Sequence, residues 1–443
     1  MLKRFSVANF SSFNEEQTLD LTAGSTRVLS DHVIDFGSTR LLKTGVIYGA
    51  NASGKSNLIK AIDFARQIIV VGMDKTDTYK KHFRLKKNNA NIPTKFEFEV
   101  QVDSKFYSYS FSCILALGKI TEEWLYEIGI NAPRKIFERN EASILLGKSL
   151  SSNNTKKRFE VYVDDMKNQS SQLFISEIAE KDLQIEEVDE INKIFSWFSN
   201  KLDIIYPDDK YYGFRGVTKD VTKELTKYLS KFDTGVVEID TVEEDFDEAL
   251  KNYPDALKSQ IIKQFSNGNA KEAIMHGTGS DSELITLYKN NDNEIKVRKL
   301  VFIHGKKEKD VFEIKDESDG TRRLLDFIPL ISKFSEGHTV LVDEFDRSLH
   351  PKLTREFFNL FLDMENCKSQ LIVSTHESTL MDLELLRRDE IWFVDKSADD
   401  SSKLFSLNSF KERYDKKIEK AYLLGRYGAV PIFKSFQNIS WEE

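Results

Sequence analysis

The octapeptide Gly49-Ala-Asn-Ala-Ser-Gly54-Lys55-Ser56 constrains this chain more than any other stretch. It follows the apolar run Val46-Ile47-Tyr48 and precedes a segment in which Leu58, Ile62, Ala65 and Ile69 recur at helical spacing. The pattern is that of a phosphate loop. Glycine lets the backbone approach an anion closely, successive N–H groups wrap it, and the helix that starts there adds its positive dipole end. Lys55 supplies a cation for the terminal phosphates of a nucleotide, and the Ser56 hydroxyl can ligate Mg²⁺. The binding set counted here is Gly49, Asn51, Ala52, Ser53, Gly54, Lys55, Ser56 and Asn57. A chance match in a chain of this length is on the order of one in a hundred. Strand, loop and helix in that order place the motif in an α/β protein.

Three further elements follow in sequence. Val340-Leu-Val-Asp343-Glu344 reads as a buried strand ending in two carboxylates. Asp343 is assigned to Mg²⁺ and Glu344 to the attacking water; the plain alternative is an acidic turn. His376 follows the strand-like Leu371-Ile-Val-Ser-Thr375 and is read as a γ-phosphate sensor, against the ordinary reading of a solvated strand end. Glu317-Ser318-Asp319-Gly320-Thr321 opens a helix carrying Leu324, Phe327, Ile328 and Ile331. It fits either an anion-binding helix start or a simple N-cap.

The 443 residues are read as three parts: residues 1–150 as an N-terminal ATPase lobe with a β-subdomain, 151–294 as a mainly helical insertion, and 295–443 as a C-terminal ATPase lobe. Helical spacing of Val188, Ile191, Phe195 and Phe198, and of Leu257, Ile261 and Phe265, supports the insertion. Strands at 339–342, 370–373 and 391–394, with a helix from Pro351, imply a mostly parallel sheet flanked by helices. No run is long and apolar enough for a membrane span, and the N-terminus turns polar too early for a signal peptide. Only Cys113 and Cys367 are present, so a disulfide scaffold is not expected and a cytoplasmic location is. A net charge of −8 argues against a globally basic nucleic-acid coat but permits local basic patches.

The ordered set resembles the ATP-binding cassette ATPases, within them the SMC and RecF-like branch. Gly49–Ser56 corresponds to Walker A, Ser318-Asp-Gly-Thr321 to the signature, Val340–Glu344 to Walker B, Asp346 to the D-loop and His376 to the switch histidine. The signature departs from the usual Ser-Gly-Gly-Gln, and neither Gln67 nor Gln101 fits a Q-loop. Glu-Ser-Asp-Gly-Thr-Arg-Arg, Asp-Glu-Phe-Asp-Arg-Ser-Leu-His-Pro, Ser-Thr-His-Glu and Arg-Arg-Asp-Glu-Ile-Trp-Phe-Val resemble the AbiL-type "AAA family" ATPases of bacterial abortive-infection systems. So do the opening Phe5–Phe13 and the late Tyr422-Leu-Leu-Gly-Arg-Tyr-Gly-Ala-Val-Pro431. The resemblance implies a mixed-sheet ATPase head with an antiparallel β-lobe and an inserted helical subdomain. It implies ATP and Mg²⁺ as cofactors and a homodimer sandwiching two ATP molecules. Ser318 and Gly320 of one subunit would then cap the γ-phosphate held by Lys55 of the other, and Asp346 is counted with the nucleotide-binding residues. It further implies a toxin or nuclease effector encoded next to the ATPase. Higher oligomers, a phage trigger protein and nucleic acid stay open as further partners.

The alternative is a RecF-type DNA repair or recombination ATPase. Lys80-Lys81-His82-Phe83-Arg84-Leu85-Lys86-Lys87 could track a phosphate backbone, or be a solvated edge. Tyr206, Lys210, Tyr211, Tyr212, Phe214 and Arg215 form an aromatic-basic stretch that fits core packing or a protein interface better than base stacking. Glu243–Glu248 is expected to be a solvated helix start. A transporter subunit is disfavoured by the insertion, and a non-catalytic scaffold by the presence of Lys55, Asp343, Glu344 and His376 together.

Overall fold

The computed structural model describes residues 1–129, 132–151, 156–166, 169–181, 183, 185–210, 218–266, 272–276, 284–410 and 417–431. The chain packs as two compact units. One comprises Met1–Pro207, Phe334–Asp346 and Asn359–Glu443; the other comprises Asp208–Lys333 and Arg347–Phe358. The 151–294 stretch contributes to both.

The first unit is built on a six-stranded sheet: β1 (Thr44–Tyr48), β2 (Leu202–Ile205), β3 (Thr339–Val342), β4 (Gln370–Ser374), β5 (Ile391–Lys396) and β6 (Ser402–Ser406), in the order β2-β3-β4-β1-β5-β6. All neighbours are parallel except β5 and β6. Strands β1 to β4 are buried along their whole length, which is why Thr339-Val-Leu-Val342 and its neighbours are apolar runs rather than alternating ones. Helix α1 (Lys55–Val70) buries Leu58, Ile59, Ala61, Ile62, Ala65, Ile68 and Ile69. These side chains share one core with Ile47, Leu341 and Ile372 of the sheet.

The same core continues into a seven-stranded antiparallel lobe, in spatial order Ile144–Leu146, Arg134–Asn140, Lys119–Ile128, Lys105–Ile114, Thr94–Val102, Leu2–Ala8 and Gln17–Asp20. Phe64 of α1 ties the helix to this lobe, its ring 5.0 Å from Phe10 and 5.9 Å from Phe96. Gln370, buried at the start of β4, fastens sheet to lobe: it accepts from Leu2 N at 2.6 Å and donates to Leu2 O at 2.8 Å and Leu42 O at 3.0 Å. Most buried polar groups in folded proteins are satisfied in this way.

Glu123 is a second such group. Its carboxylate accepts the N–H groups of Phe174 (2.6 Å) and Ile175 (3.0 Å) at a helix start and the Tyr109 hydroxyl (3.0 Å), with Arg139 3.7 Å away. Burial pushes its carboxyl above the usual range, opposed by Arg139 and the backbone donors. Truncating it would orphan all of these partners at once. Glu123→Ala should therefore cost roughly 3–5 kcal/mol, read as a lower urea midpoint; an unchanged midpoint would refute this account of the lobe.

The second unit holds a five-stranded antiparallel sheet in the order Val236–Asp245, Ile295–His304, Leu284–Lys289, Glu272–His276, with Asp310–Glu313 pairing Ile295–His304. Helices Lys219–Leu229, Asp255–Ser266 and α2 (Asp319–Lys333) belong to the same unit, and α3 (Pro351–Leu362) starts in it. Helical spacing around Leu257 and Ile261 is present as read, but the strands between 236 and 289 escaped the sequence reading. The acidic stretch 243–248 was expected to open a helix; Glu243 to Asp245 instead end a strand, and a helix spans only Phe246–Ala249. Their charges have cross-strand partners, Arg298–Glu243 at 2.9 Å, Lys299–Glu244 at 3.0 Å and Lys296–Asp245 at 2.6 Å. Opposite charges on facing strands stabilise a pairing whose apolar content is low. Among the described residues no helix is long and apolar enough to cross a membrane.

Candidate active site

Ligand sites in open α/β sheets lie beyond the carboxyl ends of the strands, and three neighbouring strands here deliver the sequence-predicted residues to one place. The loop after β1 is Gly49–Gly54, the turn after β3 carries Asp343 and Glu344, and the loop after β4 carries Thr375 and His376. Spatial adjacency in the order β3-β4-β1 brings them together although most of the chain lies between the first and the last of them.

The loop after β1 needs its glycines. A side chain at Gly49 would run into Val394 O and into Ser53 Oγ at 2.5 Å, and Gly54 has a φ of +115° with Ser12 and Ser402 hydroxyls against the position a Cβ would take. Ala52 is also left-handed, at φ 62°. No side chain caps the start of α1, so its first N–H groups stay open to an anion. The Ser53 hydroxyl is buried without a partner. Lys55 is buried and donates to Gly49 O at 2.8 Å and Ala50 O at 3.3 Å. Burial lowers its pKa to about 8, against the pull of Asp343, Asp346 and Glu344. A loop with open donors, an orphaned hydroxyl and a cation that burial destabilises fits a polyphosphate.

Ser56 Oγ donates to Asp343 Oδ1 at 3.1 Å, so the hydroxyl and carboxylate predicted for a divalent cation already touch. This hard-oxygen pair fits Mg²⁺, which takes few protein ligands beside phosphate oxygens. Glu344 lies one residue on, in the left-handed region at φ 47°. Asp346 accepts from Thr375 Oγ1 at 2.6 Å and from His376 N at 3.2 Å. His376 is exposed; desolvation first, then Lys55, hold its pKa below the usual histidine range, with the three carboxylates opposing.

Two groups of residues went unread in the sequence. Ser12 and Ser402 brace the phosphate loop from behind: Ser402 Oγ donates to Ser53 O at 2.5 Å and accepts from Ser12 Oγ at 2.8 Å, and Asn57 Nδ2 donates to Ser12 Oγ at 2.9 Å. Thus Asn57, counted with the binding residues, also has a structural partner. Ser374 and Thr375 engage the acidic residues after β3. Paired hydroxyls at Ser11-Ser12, Ser374-Thr375 and Ser401-Ser402 were the available signal, though serine is too common at strand ends to stand out.

The signature residues belong to the second unit. Ser318 and Asp319 are exposed. Ser318 Oγ accepts from Thr321 N at 3.1 Å, the N-cap arrangement, and Glu317 is held by His304 at 2.6 Å. A Cβ on Gly320 would lie 3.1 Å from Ser348 O. In the basic run, Phe83 is buried and anchors the loop, while Lys80, Arg84, Leu85, Lys86 and Lys87 are exposed. Tyr206 donates to Asp63 of α1 at 3.0 Å; Tyr211, Tyr212, Phe214 and Arg215 lie outside the described residues. The segment from Tyr422 forms a clasp. Tyr422 and Tyr427 stack on Phe393 of β5, at 5.7 and 5.6 Å, and Arg426 stays exposed.

With this geometry in place, the class is defined: a phosphate-loop domain of AAA ATPase type on a mixed α/β fold. Residues 46–382 match the model of the family described as "AAA domain, putative AbiEii toxin, Type IV TA system", and the chain belongs to that family. Among curated proteins no relative matches it. The chain is similar to the SMC head bound to the C-winged helix domain of ScpA, with 13% identity, a TM-score of 0.41, and 91% of this chain and 97% of that one covered. It is also similar to the SMC head domain from Thermotoga maritima, with 12% identity, a TM-score of 0.36, and 91% and 98% covered.

Proposed function

We propose that the chain hydrolyses ATP as the sensor or regulatory subunit of a bacterial anti-phage, abortive-infection system, and that its nucleotide state controls a partner toxin or nuclease. The observation that carries the catalytic part is the convergence of Lys55, Ser56, Asp343, Glu344 and His376 beyond three adjacent strands. The family description, which names a toxin of a toxin–antitoxin system, supports the defence setting, as do the AbiL-like motifs.

In this reading the N–H groups of Gly49–Ser56 and the start of α1 cradle the phosphates. Lys55 exchanges its carbonyl partners for phosphate oxygens, whose negative charge offsets the burial that lowers its pKa. Ser56 and Asp343 would hold Mg²⁺, which would supply charge neutralisation at the phosphates. Glu344 orients the attacking water, and His376 contacts the γ-phosphate. Phosphoryl transfer requires little beyond positioning and charge stabilisation, and these groups supply both.

Ser318 and Gly320 act in trans, on nucleotide held by a second copy, so a lone protomer has an incomplete site. Slow turnover gated by dimer formation suits a switch. The domain division 1–150, 151–294 and 295–443 is retained as a functional proposal.

Mixing tests the dimer. A Lys55→Met variant and a Ser318→Arg variant should each be inactive, and their mixture should regain about a quarter to a half of wild-type turnover per site, because one of the two composite sites in a mixed dimer is intact. Solution mass should double on ATP binding. Wild-type protein that neither binds nor hydrolyses ATP would overturn the whole reading; an active Ser318→Arg variant would remove only the composite site.

A further inference from the structure

We propose that Ser374 is a positioning residue that couples the cation-binding carboxylate Asp343 to the water-orienting residue Glu344; this rests on the hydrolytic reading of those two residues. Ser374 is the last residue of β4, fully buried beside the end of β3. Its hydroxyl donates to Asp343 Oδ1 at 2.5 Å and accepts the N–H of Glu344 at 2.9 Å. Its carbonyl accepts the N–H of Phe345 at 3.0 Å. One residue of β4 therefore holds three consecutive residues of the turn after β3.

The proton count makes the arrangement directional. A serine hydroxyl has one proton and two lone pairs. The proton goes to Asp343, so the oxygen can serve Glu344 only as an acceptor. Asp343 Oδ1 also receives the Ser56 hydroxyl, at 3.1 Å, which joins the phosphate loop, the carboxylate and the Glu344 backbone through a single oxygen-centred chain.

Glu344 needs that support. At φ 47° it occupies the left-handed region, where a residue with a Cβ is strained by about 1–2 kcal/mol. Such strain persists where surrounding bonds over-determine it. Here the two N–H groups that follow Asp343, those of Glu344 and Phe345, are both taken by Ser374. Packing does not call for the hydroxyl: its neighbours in β4, Leu371, Ile372 and Val373, are apolar, and alanine would fit the same space with less volume.

The test compares Ser374→Ala and Ser374→Thr with wild type. Partners that orient first-contact ligands are worth roughly 10- to 100-fold in activity or metal affinity. Ser374→Ala should lose kcat by about that factor and need more Mg²⁺ for half-maximal turnover. ATP affinity in EDTA should stay within about twofold, since the phosphate loop is untouched. In ligand-free protein, amide exchange over residues 343–346 should quicken about tenfold or more. Ser374→Thr, which keeps the hydroxyl, should restore exchange and turnover to within about threefold. Wild-type turnover and exchange in the alanine variant would overturn the proposal while leaving the hydrolytic reading standing. So would a loss of kcat that only tracks a lower melting temperature and that threonine does not restore. Absence of ATP binding and turnover in wild type would instead fell the hydrolytic reading beneath it.

Discussion

Glu344→Gln should bind ATP and fail to cleave it. The amide keeps the size of the carboxylate and leaves the Glu344 N–H bond to Ser374 in place, so the left-handed turn should survive. What it loses is the charge that draws a proton from the attacking water. Positioned general bases contribute roughly 10²- to 10⁴-fold, and that is the expected fall in kcat. ATP affinity should be unchanged or tighter, and uncleaved ATP should co-purify with the dimer. Phosphate release measured beside nucleotide retention decides the matter. A variant that turns over at the wild-type rate would take the catalytic role away from Glu344.

Lys55→Met should fail one step earlier, at binding. Burial disfavours the charge on Lys55: its pKa is lowered to about 8, and among the described residues its ammonium donates to Gly49 O and Ala50 O. Phosphate oxygens offer full negative charge to the same donors. A charged hydrogen bond of this kind is worth about 1.5–3 kcal/mol, so ATP affinity should weaken roughly 10- to 100-fold. Methionine fills the space of the lysine stem, which separates lost charge from lost packing. Equilibrium binding of ATP to both variants gives a contrast: Glu344→Gln retains nucleotide and Lys55→Met does not. If both retain it equally, the phosphate loop is not where the nucleotide sits.

Much of the site was legible in the sequence because it is local. Gly49–Ser56 is one strand end, one loop and one helix start, and each residue type there answers to a backbone or charge requirement that holds in any fold. The acidic pair was legible as the end of an apolar run, and His376 as the end of another. Glu243–Asp245 misled for the opposite reason. Acidic residues suit a helix start and an exposed strand equally, and the choice was made by Arg298, Lys299 and Lys296 on a strand some fifty residues away. The strand Leu202–Ile205 was likewise hidden, since three apolar residues around Asp203 do not distinguish a strand from a helix end until β3 is known to pair with them.

The sequence by itself determined that a glycine-containing loop opens a helix, that buried strands end in carboxylates and in Ser-Thr-His, and that the chain is α/β. Only the tertiary structure decided that these ends are neighbours. Strand order β3-β4-β1 is a long-range choice, made by burying α1 and the apolar strands in one core. It also decided which hydroxyls matter. Ser374 differs from many other serines only in facing Asp343 across two strands, and Ser12 only in reaching the back of the phosphate loop. A side-chain oxygen acquires its role from the partner within 3 Å of it, and that partner is set by packing rather than by the residue's own chemistry.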